Sequence, residues 1–225
     1  MISGPNGSGK TTLTNQLRAR DVDLGEYINP DDITKDLVGS YEARSAAAQQ
    51  IADTRRDEAI RAGRSFSFET VMSHPSKIDI LLRAKASGFC VQVFFVGTND
   101  PRTNVERVAV RVTQGGHDVP TERIIARWKR TMALLPTAIR AADEAYVFDN
   151  SSTRNVGITP RLVFRRSVKT RALPQTQQSP PMPEWVRIYV LQALSIRPLS
   201  WPIGKQTHEG VRGVELTDLA WRLCV

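Results

Sequence analysis

Residues 1–12 read MISGPNGSGKTT. Gly4, Gly9, Lys10 and Thr11 stand at the spacing Gly-x-x-x-x-Gly-Lys-Thr, which is the complete Walker A pattern. The chemistry asks for these residue types. Glycines let backbone N–H groups turn toward phosphate oxygens with no Cβ in the way, and a helix starting near Thr11 adds the positive end of its dipole. The residues expected to hold a nucleotide are Gly4, Asn6, Gly7, Ser8, Gly9, Lys10, Thr11 and Thr12. Lys10 would reach the β- and γ-phosphates, the Thr11 hydroxyl would be a ligand to Mg²⁺, and Thr12 would meet the α-phosphate. A Walker A loop normally follows a central strand, and only Met1–Ser3 precede this one. Half a strand is the most they supply, which predicts a truncated first strand whose neighbours lack a full partner.

Helix and strand signals alternate after the loop. Thr11–Arg20 has helical spacing, with Leu13 and Leu17 on one face. Short strands are expected at Glu26–Asn29, Ser65–Glu69, Cys90–Val96 and Tyr146–Phe148, with a further one at Leu162–Arg165. Helices are expected at Tyr41–Arg61, Pro75–Ala86, Pro101–Thr113 and Thr121–Ala142. This is the rhythm of βαβ units and predicts an α/β, three-layer P-loop NTPase fold, with a mostly parallel central sheet and a helical lid. From Ala172 the pattern degrades: ALPQTQQSPPMP cannot be a regular element, and EWVRIYVLQAL fits a short helix or a strand. The expected division is a kinase-like domain over 1–171 and a basic, Pro-rich extension over 172–225, for which a packed extension and a disordered tail both stay open.

Charge follows the same division. Residues 1–149 carry 20 Lys/Arg and 19 Asp/Glu, while residues 150–225 carry 11 and 4 and hold 7 of the 13 prolines. A basic tail suits nucleic acid or an acidic partner, but a solvated surface is the simpler reading, so nucleic acid is not favoured. The chain has no run of about 18 apolar residues and no leader-like N-terminus, so a cytoplasmic protein without a membrane span is expected. Of the two cysteines, Cys90 lies in an apolar run and is expected to be a buried thiol.

Three P-loop classes can be weighed. No LSGGQ-type signature is present, which argues against an ABC-type ATPase, and no Asn-Lys-x-Asp guanine motif is present, which argues against a GTPase. A kinase needs a base beside the acceptor and an Arg-bearing lid, and both have candidates. In INPDDI (28–33), Asp31 and Asp32 follow the second strand on the carboxyl edge of the sheet, where ligands bind in open α/β folds. One carboxylate suits the general base and the other an N-cap, with Asp31 taken as the base. FSFET ends in Glu69 and Thr70. Glu69 sits as a Walker B acid would, near Mg²⁺ or its water, or else bonds a sugar hydroxyl. The stretch RVAVRVTQGGHDVPTERIIARWKR places Arg107, Arg111, His117, Arg123, Arg127, Lys129 and Arg130 across one helical hairpin hinged at Gly115-Gly116. Guanidinium groups there would stabilise the charge that spreads over a transferring phosphoryl group, and two or three of the seven are expected to be functional.

The ordered set GPNGSGKTT, INPDDI, FSFETVMS, RVAVRVTQGGHDVP and IIARWKRT, spread over residues 1 to about 150, resembles the zeta toxin-like P-loop kinases, also labelled predicted ABC-type ATPases. The resemblance implies a nucleotide-kinase-like fold and an ATP- and Mg²⁺-dependent phosphotransferase. The acceptor it implies is a nucleotide sugar, UDP-N-acetylglucosamine, phosphorylated on its sugar 3′-hydroxyl, with an antitoxin protein as partner. By position, Lys10, Asp31, Arg111 and Arg127 would be catalytic, Thr11 would hold the metal, and Glu69, Thr70 and His117 would line the acceptor pocket. Asp149–Ser151 would lie near the adenine. Two rival readings remain: a polynucleotide or other small-molecule kinase, and a non-catalytic nucleotide-binding remnant.

Overall fold

The computed structural model describes residues 1–151, 160–168 and 182–195. A six-stranded sheet runs through them in the order β2-β3-β1-β4-β5-β6. The strands are β1 (Ile2–Ser3), β2 (Glu26–Ile28), β3 (Phe66–Thr70), β4 (Gln92–Gly97), β5 (Glu144–Asp149) and β6 (Arg161–Ser167). The first five are parallel, and β6 returns antiparallel beside β5. The helices are α1 (Lys10–Arg18), α2 (Pro30–Lys35), α3 (Tyr41–Arg61), α4 (Ser76–Ala86), α5 (Pro101–Thr113), α6 (Thr121–Ala141) and α7 (Glu184–Val186), the last continuing as a π-helical turn through Gln192. Among the described residues no helix is long and apolar enough to cross a membrane.

The run QVFFVG shows why the sheet is covered on both faces. Alternate residues of a strand point opposite ways, and here both sets are apolar, as expected of a parallel strand buried on both sides. Phe94 and Val96 pack with Ile2, Leu13, Leu17, Tyr146 and Phe148 beneath α1. Val93 and Phe95 pack on the opposite face in the larger core, with Phe68, Met72, Trp128, Leu135 and Val147. The α/β P-loop fold expected from the alternation is therefore the fold observed.

Although β1 is short, it lies at the centre of the sheet. Ile2 pairs with Glu69 on one side and Phe94 on the other, and Ser3 with Thr70 and Phe95. The flanking residues lengthen the pairing: the Met1 amine donates to Gln92 O (2.8 Å), Phe94 N to Met1 O (2.9 Å) and Gly4 N to Thr70 O (3.3 Å). Backbone hydrogen bonding thus extends over four residues, and the neighbouring strands keep a partner along that length.

One expectation needs correction, and part of the C-terminal extension packs. Cys90, read as a buried thiol, is only partly buried, because it lies ahead of β4 rather than within it. Glu184–Gln192 falls inside the expected C-terminal extension, yet Trp185, Val186, Val190 and Leu191 are all at most 2% exposed and belong to the larger core. Trp185 lies over Gly97 at the end of β4, its ring 6.0 Å from that of Phe95, and Tyr189 meets Trp128 edge-on at 5.9 Å. The remainder of the expected extension, apart from Met182, Pro183 and Ala193–Ser195, lies outside the described residues.

Candidate active site

The loop Gly4–Gly9 leaves β1 and enters α1, with β3 on one side and β4 on the other, so it occupies the carboxyl edge where the chain switches direction across the sheet. Its shape depends on missing side chains. A Cβ on Gly4 would lie 2.2 Å from Val96 O, and one on Gly9 would lie 2.5 Å from Asn150 Nδ2. Gly9 also has φ +103°, in the left-handed region that favours glycine. Three neighbouring elements hold the loop from behind. Asn150, after β5, donates to Ser8 O (2.8 Å). Asn104 of α5 donates to Asn6 O (2.6 Å) and accepts from Thr98, whose hydroxyl in turn receives the Trp128 indole N–H (3.2 Å). The Ser8 hydroxyl and Asn150 Oδ1 are buried without a hydrogen-bond partner among the described residues. Buried polar atoms of this kind are costly unless satisfied, and both lie on the loop or on the side chain that grips it.

Lys10 Nζ donates to the loop carbonyls of Gly4 (3.0 Å) and Pro5 (3.1 Å). Burial holds its ammonium below the ordinary lysine pKa. The charges of Glu69 and then Asp31 work against that shift, while Arg111 and Arg127 add to it. Residues from β3, α2, α5 and α6 thus converge electrostatically on one lysine. Thr11 and Thr12 are exposed at the start of α1.

Glu69 is 8% exposed. Its carboxylate accepts from Thr14 (2.5 Å), from the Tyr27 phenol (2.8 Å) and, at 3.5 Å, from Thr11. Burial first, and then the Glu69 charge, push the Tyr27 phenol above its ordinary pKa. Thr11 and Glu69 therefore form one oxygen-donor pair beside the loop, a set suited to Mg²⁺. No group of three or more His, Cys, Asp or Glu among the described residues is arranged to hold a metal. A Mg²⁺ here would thus share its coordination with phosphate oxygens and water, its usual habit at nucleotide sites.

The two aspartates separate clearly. Asn29, not either aspartate, caps α2, its side chain accepting from Asp31 N (3.1 Å), which corrects the expected division of roles. Asp32 is engaged by Lys35 (2.7 Å) and by the Asn29 amide (3.2 Å). The exposed Asp31 carboxylate accepts no hydrogen bond among the described residues, and its charge acts on Lys10.

Thr70 ends β3, and its carbonyl accepts from Gly4 N of the loop (3.3 Å). Its hydroxyl accepts from Met72 N (3.0 Å), and the buried Met72 takes φ +56°, a left-handed conformation costly for a non-glycine residue. Of the seven basic residues in the lid stretch, Arg111 and Arg127 act on Lys10. Arg127 is half-buried and approaches the loop at Asn6 Oδ1 (3.5 Å), and burial, with Arg123 and Arg130 nearby, lowers its pKa. Arg111 donates to His117 O (2.9 Å), and the exposed His117 ring stacks on Tyr41. Arg107 faces Asp149 instead, and Arg123, Lys129 and Arg130 are exposed. The loop supports Asn104 and Thr98 and the Glu69 partners Thr14 and Tyr27 escaped the sequence reading. Only Tyr27, one residue before INPDDI, carried a signal, as the polar aromatic of its strand. Asn150 was expected near the adenine; its amide is engaged with the phosphate loop.

Comparisons with known proteins bear on the fold and the family. An uncharacterized protein of Haemophilus influenzae (strain ATCC 51907 / DSM 11121 / KW20 / Rd) is 29% identical over 127 residues, covering 56% of this chain and 88% of its own length. Among solved structures, a chain of the AvrRxo1-ORF1:-ORF2 complex with ATP superposes with a TM-score of 0.59 at 15% identity, over 89% of this chain and 64% of that one. The complex with sulphate ions gives 0.55 at 16%, over 72% and 56%. This chain thus spans about three fifths of the AvrRxo1 chains it matches. The PezAT chromosomal toxin–antitoxin system of Streptococcus pneumoniae gives 0.55 at 13%, over 86% of both chains. At these identities the likeness is one of fold. A family model described as an AAA domain matches residues 1–135, more than half of the chain, and the chain belongs to that family of P-loop proteins.

Proposed function

We propose that the chain is an ATP-dependent phosphotransferase of the zeta toxin type, which moves the γ-phosphate of ATP to a hydroxyl of a nucleotide sugar such as UDP-N-acetylglucosamine. The observation that carries the reading is what gathers at the phosphate loop: Lys10 on the Gly4 and Pro5 carbonyls, Glu69 beside Thr11 and Arg127 at Asn6 (3.5 Å), with the unengaged Asp31 carboxylate following β2 on the same edge of the sheet. A P-loop that only bound nucleotide would need neither an unengaged carboxylate nor a lid arginine at that point. The solved complexes of similar fold add support, one holding ATP and another being a toxin–antitoxin system. By the same analogy an antitoxin is the partner we propose, and the cytoplasm the compartment.

The loop glycines cradle the phosphates, and Lys10 exchanges its two carbonyl partners for phosphate oxygens. Thr11 and Glu69 would hold Mg²⁺, which supplies charge neutralisation on the phosphates when bound. Asp31 accepts the proton of the attacking hydroxyl. Arg111 and Arg127 stabilise negative charge on the equatorial oxygens. Thr70 and His117 line the acceptor side.

The test is incubation of purified protein with Mg²⁺, γ-labelled ATP and UDP-N-acetylglucosamine, with a short oligonucleotide in a parallel tube. Label on the sugar nucleotide is the expected result. Label on the oligonucleotide would replace the reading with a polynucleotide kinase. ATP binding with no transfer to either would refute the nucleotide-sugar acceptor.

A further inference from the structure

The Tyr41 and His117 rings lie 3.6 Å apart between centroids and 20° from parallel. That is the spacing of stacked heterocycles, closer than most side-chain aromatic pairs adopt. The two rings are held very differently. Tyr41 is the first residue of the 21-residue helix α3, which Ser40 caps by accepting from Ala43 N (3.3 Å). His117 sits in the loop between α5 and α6, where Arg111 donates to its carbonyl (2.9 Å). That loop turns at Gly115, whose φ is +85° and around which a Cβ would meet nothing within 4 Å. One ring thus stands at a helix start and the other on an exposed loop residue beyond the Gly115 turn.

The stack stands at the rim of the site described above. Arg111 holds the His117 carbonyl (2.9 Å) at one end of the lid stretch, and Arg127, on the following helix, reaches the phosphate loop at Asn6 (3.5 Å). Lifting His117 exposes an aromatic face beside a guanidinium, a combination that holds nucleobases with little regard to sequence.

We infer that the Tyr41 ring is the stacking platform for a planar heterocycle of the phosphoryl acceptor, and that the His117 imidazole covers this platform and gives way to the incoming ring. The inference rests on the kinase reading and adds to it. It assigns Tyr41 to acceptor specificity, and it turns His117 from a pocket-lining residue into a competitor of the acceptor. A base stacked on an aromatic side chain strengthens binding by roughly tenfold or more, whereas a side-chain aromatic pair contributes about two- to tenfold. The exchange of one for the other is thus favourable.

The experiment is calorimetric titration of the full chain, saturated with Mg²⁺ and a non-hydrolysable ATP analogue. The probes are UDP-N-acetylglucosamine and the four common nucleoside monophosphates, with ribose 5-phosphate as the control lacking a base. At least one base-bearing probe should bind about tenfold or more tightly than the control. Tyr41→Ala should remove that advantage and Tyr41→Phe should keep it, while affinity for the ATP analogue stays unchanged in both. His117→Ala should tighten binding of the base-bearing probe by about two- to tenfold. If the stack merely pins the lid, His117→Ala weakens binding instead, and the inference is overturned. It is equally overturned if no base-bearing probe outperforms ribose 5-phosphate, or if Tyr41→Ala changes nothing. Failure of the wild-type protein to bind the ATP analogue, read in the same cell before any acceptor is added, is failure of the kinase reading and removes the inference with it.

Discussion

Replacing Trp185 by alanine tests whether the segment beyond the expected domain boundary is part of the nucleotide-binding domain. The side chain is 2% exposed and packs against Phe95 and over Gly97. Truncating a buried tryptophan to alanine costs about 3–5 kcal/mol. Its indole N–H also donates to Asp149 Oδ1 at 2.8 Å, and a bond to a charged group contributes about 1.5–3 kcal/mol. Asp149 keeps Ser151 as a donor and Arg161 at 3.9 Å, so the lower end of that range applies. Trp185→Ala should therefore destabilise by about 4–6 kcal/mol, and Trp185→Phe, which keeps most of the ring and loses the donor, by about 1–2 kcal/mol. With a urea slope of about 2 kcal/mol per molar, the alanine variant should unfold at roughly 2–3 M less urea. Gly97 supplies the control. A Cβ there would lie 2.6 Å from the Trp185 ring, so Gly97→Ala should be costly in the wild type and cheap in Trp185→Ala. The double-mutant cycle isolates this coupling. A loss under about 1 kcal/mol for Trp185→Ala, far below the cavity cost of a buried indole, would refute the packing argument. So would an equal cost of Gly97→Ala in both backgrounds.

Three further outcomes are expected. Asp31→Asn should leave ATP affinity unchanged and slow phosphoryl transfer by about 10²–10⁴-fold in a single-turnover assay with labelled ATP; unchanged transfer would move the base to another carboxylate. Burial holds the Lys10 ammonium below its ordinary pKa, and bound phosphates raise it again, so the complex holds more protons than free protein in the interval between the two values. ATP affinity should therefore fall as pH rises through the free-protein value, with proton uptake visible by calorimetry in buffers of different ionisation enthalpy and absent in Lys10→Met. Asn104→Ala leaves the Asn6 carbonyl and the Thr98 hydroxyl without their shared partner, which should cost about 1–3 kcal/mol of stability and about tenfold in ATP affinity. Asn104→Asp, facing the Asn6 carbonyl with an acceptor, should be worse than alanine in both measurements.

The fold was legible in the sequence because its signals are local. The Walker A spacing, the alternation of SFSFE and the doubly apolar QVFFV each specify an element without reference to distant residues. The candidate site was legible where a motif names its own chemistry: Lys10 and Thr11 in the loop, Glu69 at a strand end, and an aspartate pair after another strand. The pair itself could not be resolved from sequence. Asp31 and Asp32 are adjacent, chemically identical and both next to a helix start. Only the positions of Asn29 and Lys35 in space show that Asp32 is engaged.

What remained hidden depends on contacts between residues far apart in the chain. Asn104 meets Asn6 across 98 positions and Asn150 meets Ser8 across 142, and an isolated asparagine carries no local mark of such a role. The Tyr41–His117 stack joins a helix start to a loop 76 residues later in the chain. Glu184–Gln192 looked like a tail because proline-rich sequence precedes it and its own periodicity is too short to decide between helix and strand. It became part of the core only because the end of β4 presents Gly97, a residue small enough to admit the Trp185 ring. Local propensity determined which elements form and where the phosphate loop lies. The tertiary structure decided which carboxylate is unengaged, which arginine reaches the phosphate loop and which late segment closes the core, since each of these is a property of distances that one-dimensional spacing does not contain.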